Sequence, residues 1–148
     1  MDVTAELDAP CTPEILFASI DDLGDYPRWL SIVPRADPAP AHESGADEGP
    51  AWFVELRGSL GPFARSKRLR MVRVVNDDPH TVRFERREHD GREHSPWVLE
   101  GIIEPSDTGS RLTMRLHYGG SFGGSMVEKM LAQEIEESKP RLLALVAG

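Results

Sequence analysis

The sequence predicts an α+β fold in which a curved antiparallel sheet closes around one long C-terminal helix. Three observations predict it. From Ala51 to Tyr118 the chain is a run of strand-like segments whose apolar residues alternate with polar ones. From Phe122 to Val146 the period becomes helical, with Val127, Leu131, Ile135, Leu142 and Leu145 on one stripe and Met126 and Met130 beside it. Turn signals separate the strand-like segments, and Asp90-Gly91 is the strongest of them.

Each element follows in order. Val3, Ala5 and Leu7 alternate with Thr4, Glu6 and Asp8, a half-buried strand that Pro10 ends. Thr12-Pro13-Glu14 opens a helix, with Thr12 as cap, Pro13 in the first turn and Glu14 at the positive helix end. Asp21-Asp22 caps a second short helix through Leu23, Tyr26, Trp29 and Leu30, limited by Pro27. Pro34 to Pro50 reads as a long loop, with an edge strand around Arg35 to Ala39 where proline is tolerated. Gly119, Gly120, Gly123 and Gly124 make a flexible turn into the last helix, which Pro140 should kink near Glu136.

Four hairpins fill the middle. A turn at Pro62-Phe63 sets Leu56 against Leu69. One at Asn76-Asp77 sets Leu69 against Phe84. One at Asp90-Gly91 sets Phe84 against Trp97 and Val82 against Leu99. One at Asp107-Thr108 sets Trp97 against Tyr118. The inward row would read Leu56, Leu69, Phe84, Trp97, Tyr118. The other face, with Arg57, Arg68, Arg70, Arg83, Glu85, Arg87, Glu100, Arg115 and His117, would meet water.

Composition bounds the function. The chain has 148 residues, 39% hydrophobic and 28% charged, as one folded domain spanning 1–148 would. A net charge of -8 disfavours a general nucleic-acid binder, and it disfavours an electrostatic membrane anchor. The single cysteine, Cys11, allows no internal disulfide. No signal peptide is visible, and no apolar run approaches the ~20 residues of a membrane helix. The expectation is a cytoplasmic protein with no stable membrane insertion and no cofactor.

The element order resembles the helix-grip fold of the SRPBCC superfamily: START-like, Bet v 1-like and polyketide cyclase/dehydrase domains. The likeness covers nearly the whole chain. It rests on Pro13-Glu14-Ile15-Leu16-Phe17-Ala18, on Tyr26-Pro27-Arg28-Trp29 and on Gly109-Ser110-Arg111-Leu112-Thr113. The resemblance implies a cavity between sheet and terminal helix that holds lipids, sterols, polyketides or other apolar molecules. Some members of the superfamily catalyse cyclisation or dehydration, and many are carriers or sensors.

The expected partner is thus a small hydrophobic ligand, bound for transport or sensing. The alternatives are a polyketide cyclase, aromatase or dehydratase, and an interaction module with a filled core. Trp52, Leu56, Leu69, Met71, Phe84, Trp97, Leu99, Met114, Tyr118, Met126 and Met130 are the candidate wall, with the methionines as its adaptable part. Their common alternative is plain core packing. The turns Gly58–Arg65, Glu88–His94 and Gly119–Ser125 would form the mouth, with Phe63 as a lid residue. Arg86 and Lys67 at the rim would hold a carboxylate or an enolate oxygen, or else snorkel to water. Arg86, His80 and Tyr118 are the weak candidates for catalysis. His89 and His94 flank a hairpin tip without the support a metal site needs. No nucleophile elbow, phosphate loop or zinc motif is present.

Overall fold

The structure, a computed structural model, describes residues 1–40, 48–58, 66–119 and 124–147. Strand β1 (Asp2–Ala9) is followed by helix α1 (Pro13–Ala18) and a 3-10 helix (Leu23–Arg28). Six strands come next: β2 (Arg35–Pro38), β3 (Ala51–Leu56), β4 (Lys67–Asp77), β5 (Thr81–Arg86), β6 (Trp97–Ser106) and β7 (Gly109–Tyr118). Helix α2 (Gly124–Ala147) closes the fold. The seven strands form one antiparallel sheet in the order β1-β7-β6-β5-β4-β3-β2. The expected helix-grip architecture is therefore what the chain adopts.

Local chemistry sets the entry to the sheet. Thr12 is extended, and its hydroxyl accepts from the Ile15 amide at 3.4 Å, with Pro13 in the first turn. Asp22 caps the 3-10 helix by accepting from the Gly24 amide at 2.7 Å. Gly101 of β6 lets Ile20, in the turn after α1, lie close: a Cβ there would stand 2.9 Å from Ile20 Cδ1 and 3.1 Å from Met114 Sδ.

One hairpin register agrees with the sequence reading and three differ. Trp97 faces Tyr118, as expected, because the Asp107-Thr108 turn is short and Gly109 takes φ +141, and Leu99 faces Leu116 in the same register. Phe84 faces Leu99 and not Trp97, and Val82 faces Gly101. The Asp90-Gly91 tip is not a two-residue turn. Strand β5 ends at Arg86 and β6 begins at Trp97, with Glu85 and Val98 as the last pair between them. Leu69 faces Val54, and Leu56 faces Lys67. Arg73, not Leu69, faces Phe84, because β4 runs on to Asp77 and a bulge lies between Arg73 and Val75. Each slip keeps the inward set inward, because burial of one face forbids odd shifts. The continuous row across the sheet is lost.

Two further expectations change. Arg70 is not solvated: the Pro50 carbonyl continues the β3–β4 pairing by accepting from the Arg73 amide at 2.9 Å, and Glu48, two residues earlier, reaches the Arg70 guanidinium at 3.0 Å. Glu48 then caps Arg70. On α2 the buried positions are Val127, Met130, Leu131, Ser138, Leu142 and Val146. Leu145 is exposed, since Val146, four residues after Leu142, carries the stripe on.

Candidate ligand-binding cavity

The 3-10 helix carries Tyr26, with Trp29 and Leu30 just after it, at spacings of three and four that put them on one side. That side meets the inner face of the sheet and the buried stripe of α2. Two adjoining lobes of space, each about 80 Å³, are left between them. The first is bounded by Val3, Tyr26, Trp29, Leu30, Ile32, Leu99, Met114, Leu116, Leu131, Ile135 and Ser138. The second is bounded by Leu23, Val33, Val54, Leu56, Leu69, Met71 and Trp97. Tyr26, Leu30, Ile32, Leu99, Leu116 and Leu131 border both. A recess of about 30 Å³ lies past Trp29, Ile135 and Ser138 and reaches Glu6 and Lys139.

No charged side chain borders either lobe among the described residues. Tyr26 is the one titratable group there. Its hydroxyl donates to Ile20 O at 2.9 Å, and burial, with Asp21 adding to it, drives its pKa far up. Ser138 donates to Ile135 O at 2.6 Å. Trp29 Nε1 is buried and has no hydrogen-bond partner among the described residues.

The residues expected in the wall divide. Leu56, Leu69, Met71, Trp97, Leu99 and Met114 border the lobes. Trp52, Phe84, Tyr118 and Met130 are buried. Trp52 meets Phe84 edge-on at 5.6 Å, and Tyr118 stacks on Trp97 at 5.2 Å, so these rings pack against one another behind the wall. Met126 is corrected: it is 63% exposed, in the first turn of α2. Phe63 lies outside the described residues, as do most of the Gly58–Arg65 turn and much of the Gly119–Ser125 turn.

The rim cations are engaged with protein groups. Arg86 Nε donates to Glu88 at 2.7 Å, its Nη1 to Ser95 O at 3.4 Å, and its Nη2 lies 3.2 Å from His94 Nδ1. His94 Nε2 is in turn 2.8 Å from Asp90. Behind this, Arg70 pairs with Glu48 at 3.0 Å and donates to Arg87 O, while His89 sits 2.8 Å from the same Glu48. Burial alone would raise the Glu48 carboxyl, but hydrogen bonds from Arg70 and His89 hold it below its ordinary value. Lys67 is half-buried; burial, then the nearby Arg86, lowers its pKa. These groups form a polar clasp outside the lobes. His80 lies in the turn before β5, where its carbonyl accepts from the Ile103 amide at 2.7 Å.

Tyr26, Trp29, Leu30 and Ile32 are wall residues that the strand-based reading did not select. Their signal was available: an Asp cap followed by apolar residues three and four apart, too many for a surface turn.

Fold and cavity together define a helix-grip protein with an apolar interior. The chain belongs to the family described as polyketide cyclase / dehydrase and lipid transport, whose model matches residues 1–146. Its fold is similar to that of TTHA0849 from Thermus thermophilus, with a TM-score of 0.75 at 17% identity, covering 99% of this chain and 97% of that one. A START superfamily protein from Mycobacterium smegmatis aligns with a TM-score of 0.68 at 14% identity, covering 99% and 96%. Ara h 8.0201 aligns with a TM-score of 0.63 at 14% identity, covering 99% and 97%. No curated protein matches the sequence. Among the described residues no helix is long and apolar enough to cross a membrane.

Proposed function

We propose that the protein binds a small hydrophobic molecule in the two lobes between sheet and α2, for transport or sensing. The observation that supports this best is the bilobed space itself, bordered by apolar side chains with no charge among them. Well-packed interiors leave few voids larger than a water, so a space of this size argues for an occupant. Together the lobes are of the order of the roughly 150 Å³ apolar cavity known to stay dry and accept benzene. A larger guest requires the walls to part.

The cyclase or dehydratase reading draws support from the family description. The described cavity gives it little: the one titratable side chain in the walls is Tyr26, already bonded to Ile20 O. An interaction module would want a filled core, which the lobes disfavour.

The test is a thermal shift against neutral monocyclic compounds, fatty acids, sterols, flavonoids and aromatic polyketides. A ligand of the folded form raises the midpoint with its concentration. A dose-dependent rise with apolar compounds is expected. No rise with any of them would overturn the reading.

A further inference from the structure

We propose that the connection between β5 and β6 is a pH-operated strap, fastened to Arg86 only while the His94 ring is neutral and released when that ring takes up a proton. Such a strap belongs to the polar clasp and does not depend on what the lobes hold.

Arg86 ends β5, and its side chain is only 8% exposed. Its Nη2 lies 3.2 Å from His94 Nδ1. A guanidinium has donors alone, so Nδ1 is the acceptor and carries no proton. His94 Nε2 lies 2.8 Å from Asp90 Oδ2, and a carboxylate only accepts, so the proton of the ring sits on Nε2. The two contacts together define one neutral tautomer. A charged ring carries a proton on both nitrogens. Its Nδ1–H would point at the Arg86 N–H, donor against donor and cation against cation. Asp90 accepts from the ring in either state, and the Arg92 amide and His94 hold its carboxyl below the ordinary value. The ring therefore stays with Asp90, four residues away in the same loop, while Arg86 lets go.

Among the described residues the charged groups that bear on His94 are Arg86 from β5 and Glu88, Asp90, Arg92 and Glu93 from the loop, with Lys67 of β4 beyond Arg86. Glu88 accepts from Arg86 Nε at 2.7 Å, which keeps the guanidinium in place once the ring has left. His89 responds in the opposite sense: Glu48 lies 2.8 Å from its Nε2, so a proton gained there adds attraction and costs no acceptor. What still ties the strap to Arg86 is the bond from Nη1 to Ser95 O, long at 3.4 Å. The Gly119 amide, donating to Pro96 O at 3.0 Å, pins the far end. Both roots adjoin the second lobe: Trp97 borders it, and Arg86 is paired with Met71, which borders it too. Histidine ordinarily changes charge between about pH 5 and 8, so release falls in the mildly acid range, at the rim of the cavity.

The experiment is NMR of the whole nitrogen-labelled protein at about pH 8 and about pH 5.5. At the higher pH the His94 ring should be the Nε2–H tautomer, and the amides from Gly91 to Ser95 should have order parameters near about 0.8. At the lower pH those order parameters should fall below about 0.6, with the same midpoint as the ring titration. His94→Gln keeps a donor and an acceptor but does not titrate, so there the pH response should vanish. In His89→Gln it should persist. A proton on His94 Nδ1 at the higher pH, equal loop order at both values, a response that survives in His94→Gln or one that is lost in His89→Gln would overturn the strap, and each leaves the reading of the lobes untouched.

Discussion

Two regions of this molecule invite comparison. The clasp around Arg70, Arg86, Glu88, His89 and His94 is dense in charge and closed on itself. Among the described residues no charged side chain borders the lobes between sheet and α2, which stay partly empty. In the sequence the clasp looks like the functional end, since cations beside a glycine-rich turn suggest anion capture. In the fold those cations are bonded to carboxylates and carbonyls, so their work is to hold a strand end. The capacity for a guest sits in the plain region. Polar residues that satisfy one another stabilise; an opening needs groups left without partners.

The comparison can be broken by substitution, starting with the clasp. Glu48→Gln removes the carboxylate from buried Arg70 and should cost about 2 kcal/mol in denaturant unfolding at neutral pH. The same variant has a pH signature. Because the folded carboxyl is held below its ordinary 4.5, its stabilisation is fully present above that value and is lost as pH falls through the folded one. The wild type should therefore lose part of its stability below pH 4.5, and Glu48→Gln should show a flatter acid limb. An acid limb as steep in the variant as in the wild type would remove Glu48 from the clasp.

A smaller effect is expected at Arg86. Arg86→Ala leaves Glu88 with the Arg70 amide, at 3.3 Å, as remaining donor, so the loss should be about 1.5 kcal/mol. Affinity for ethylbenzene should change by less than about twofold, because the lobes do not include this side chain. A tenfold loss of affinity with stability unchanged would return Arg86 to the binding site.

How much of this was legible in the sequence differs by element. Alternation exposed the inward side of every hairpin, because burial enforces a period of two whatever the loop length. Register was legible only at Asp107-Thr108, where the turn is short. Between Arg86 and Trp97 the connection is held by side chains that bond across the loop, Arg86 to Ser95 O and His94 among them, which no local pattern announces. The bulge between Arg73 and Val75 is likewise a product of pairing on both sides of β4. In the cavity, the strand residues Leu56, Leu69, Met71, Trp97 and Leu99 were legible as inward. Tyr26, Trp29 and Leu30 left a signal as well, apolar residues three and four apart behind an Asp cap, but which side of that short helix meets the cavity shows only once the sheet is curved over it. The aromatic rings Trp52, Phe84 and Tyr118 were the most conspicuous candidates, yet they pack on neighbouring rings.

The central claim is that the lobes are a binding site, and a variant that fills them tests it most directly. Leu131 borders both lobes from α2. Calorimetry of ethylbenzene with the wild type and with Leu131→Phe is the measurement. Saturable uptake of one equivalent by the wild type, and at least about tenfold weaker uptake by a folded Leu131→Phe, is the result expected when a guest and a side chain compete for one space. Undiminished uptake by Leu131→Phe, or none by the wild type, would contradict it.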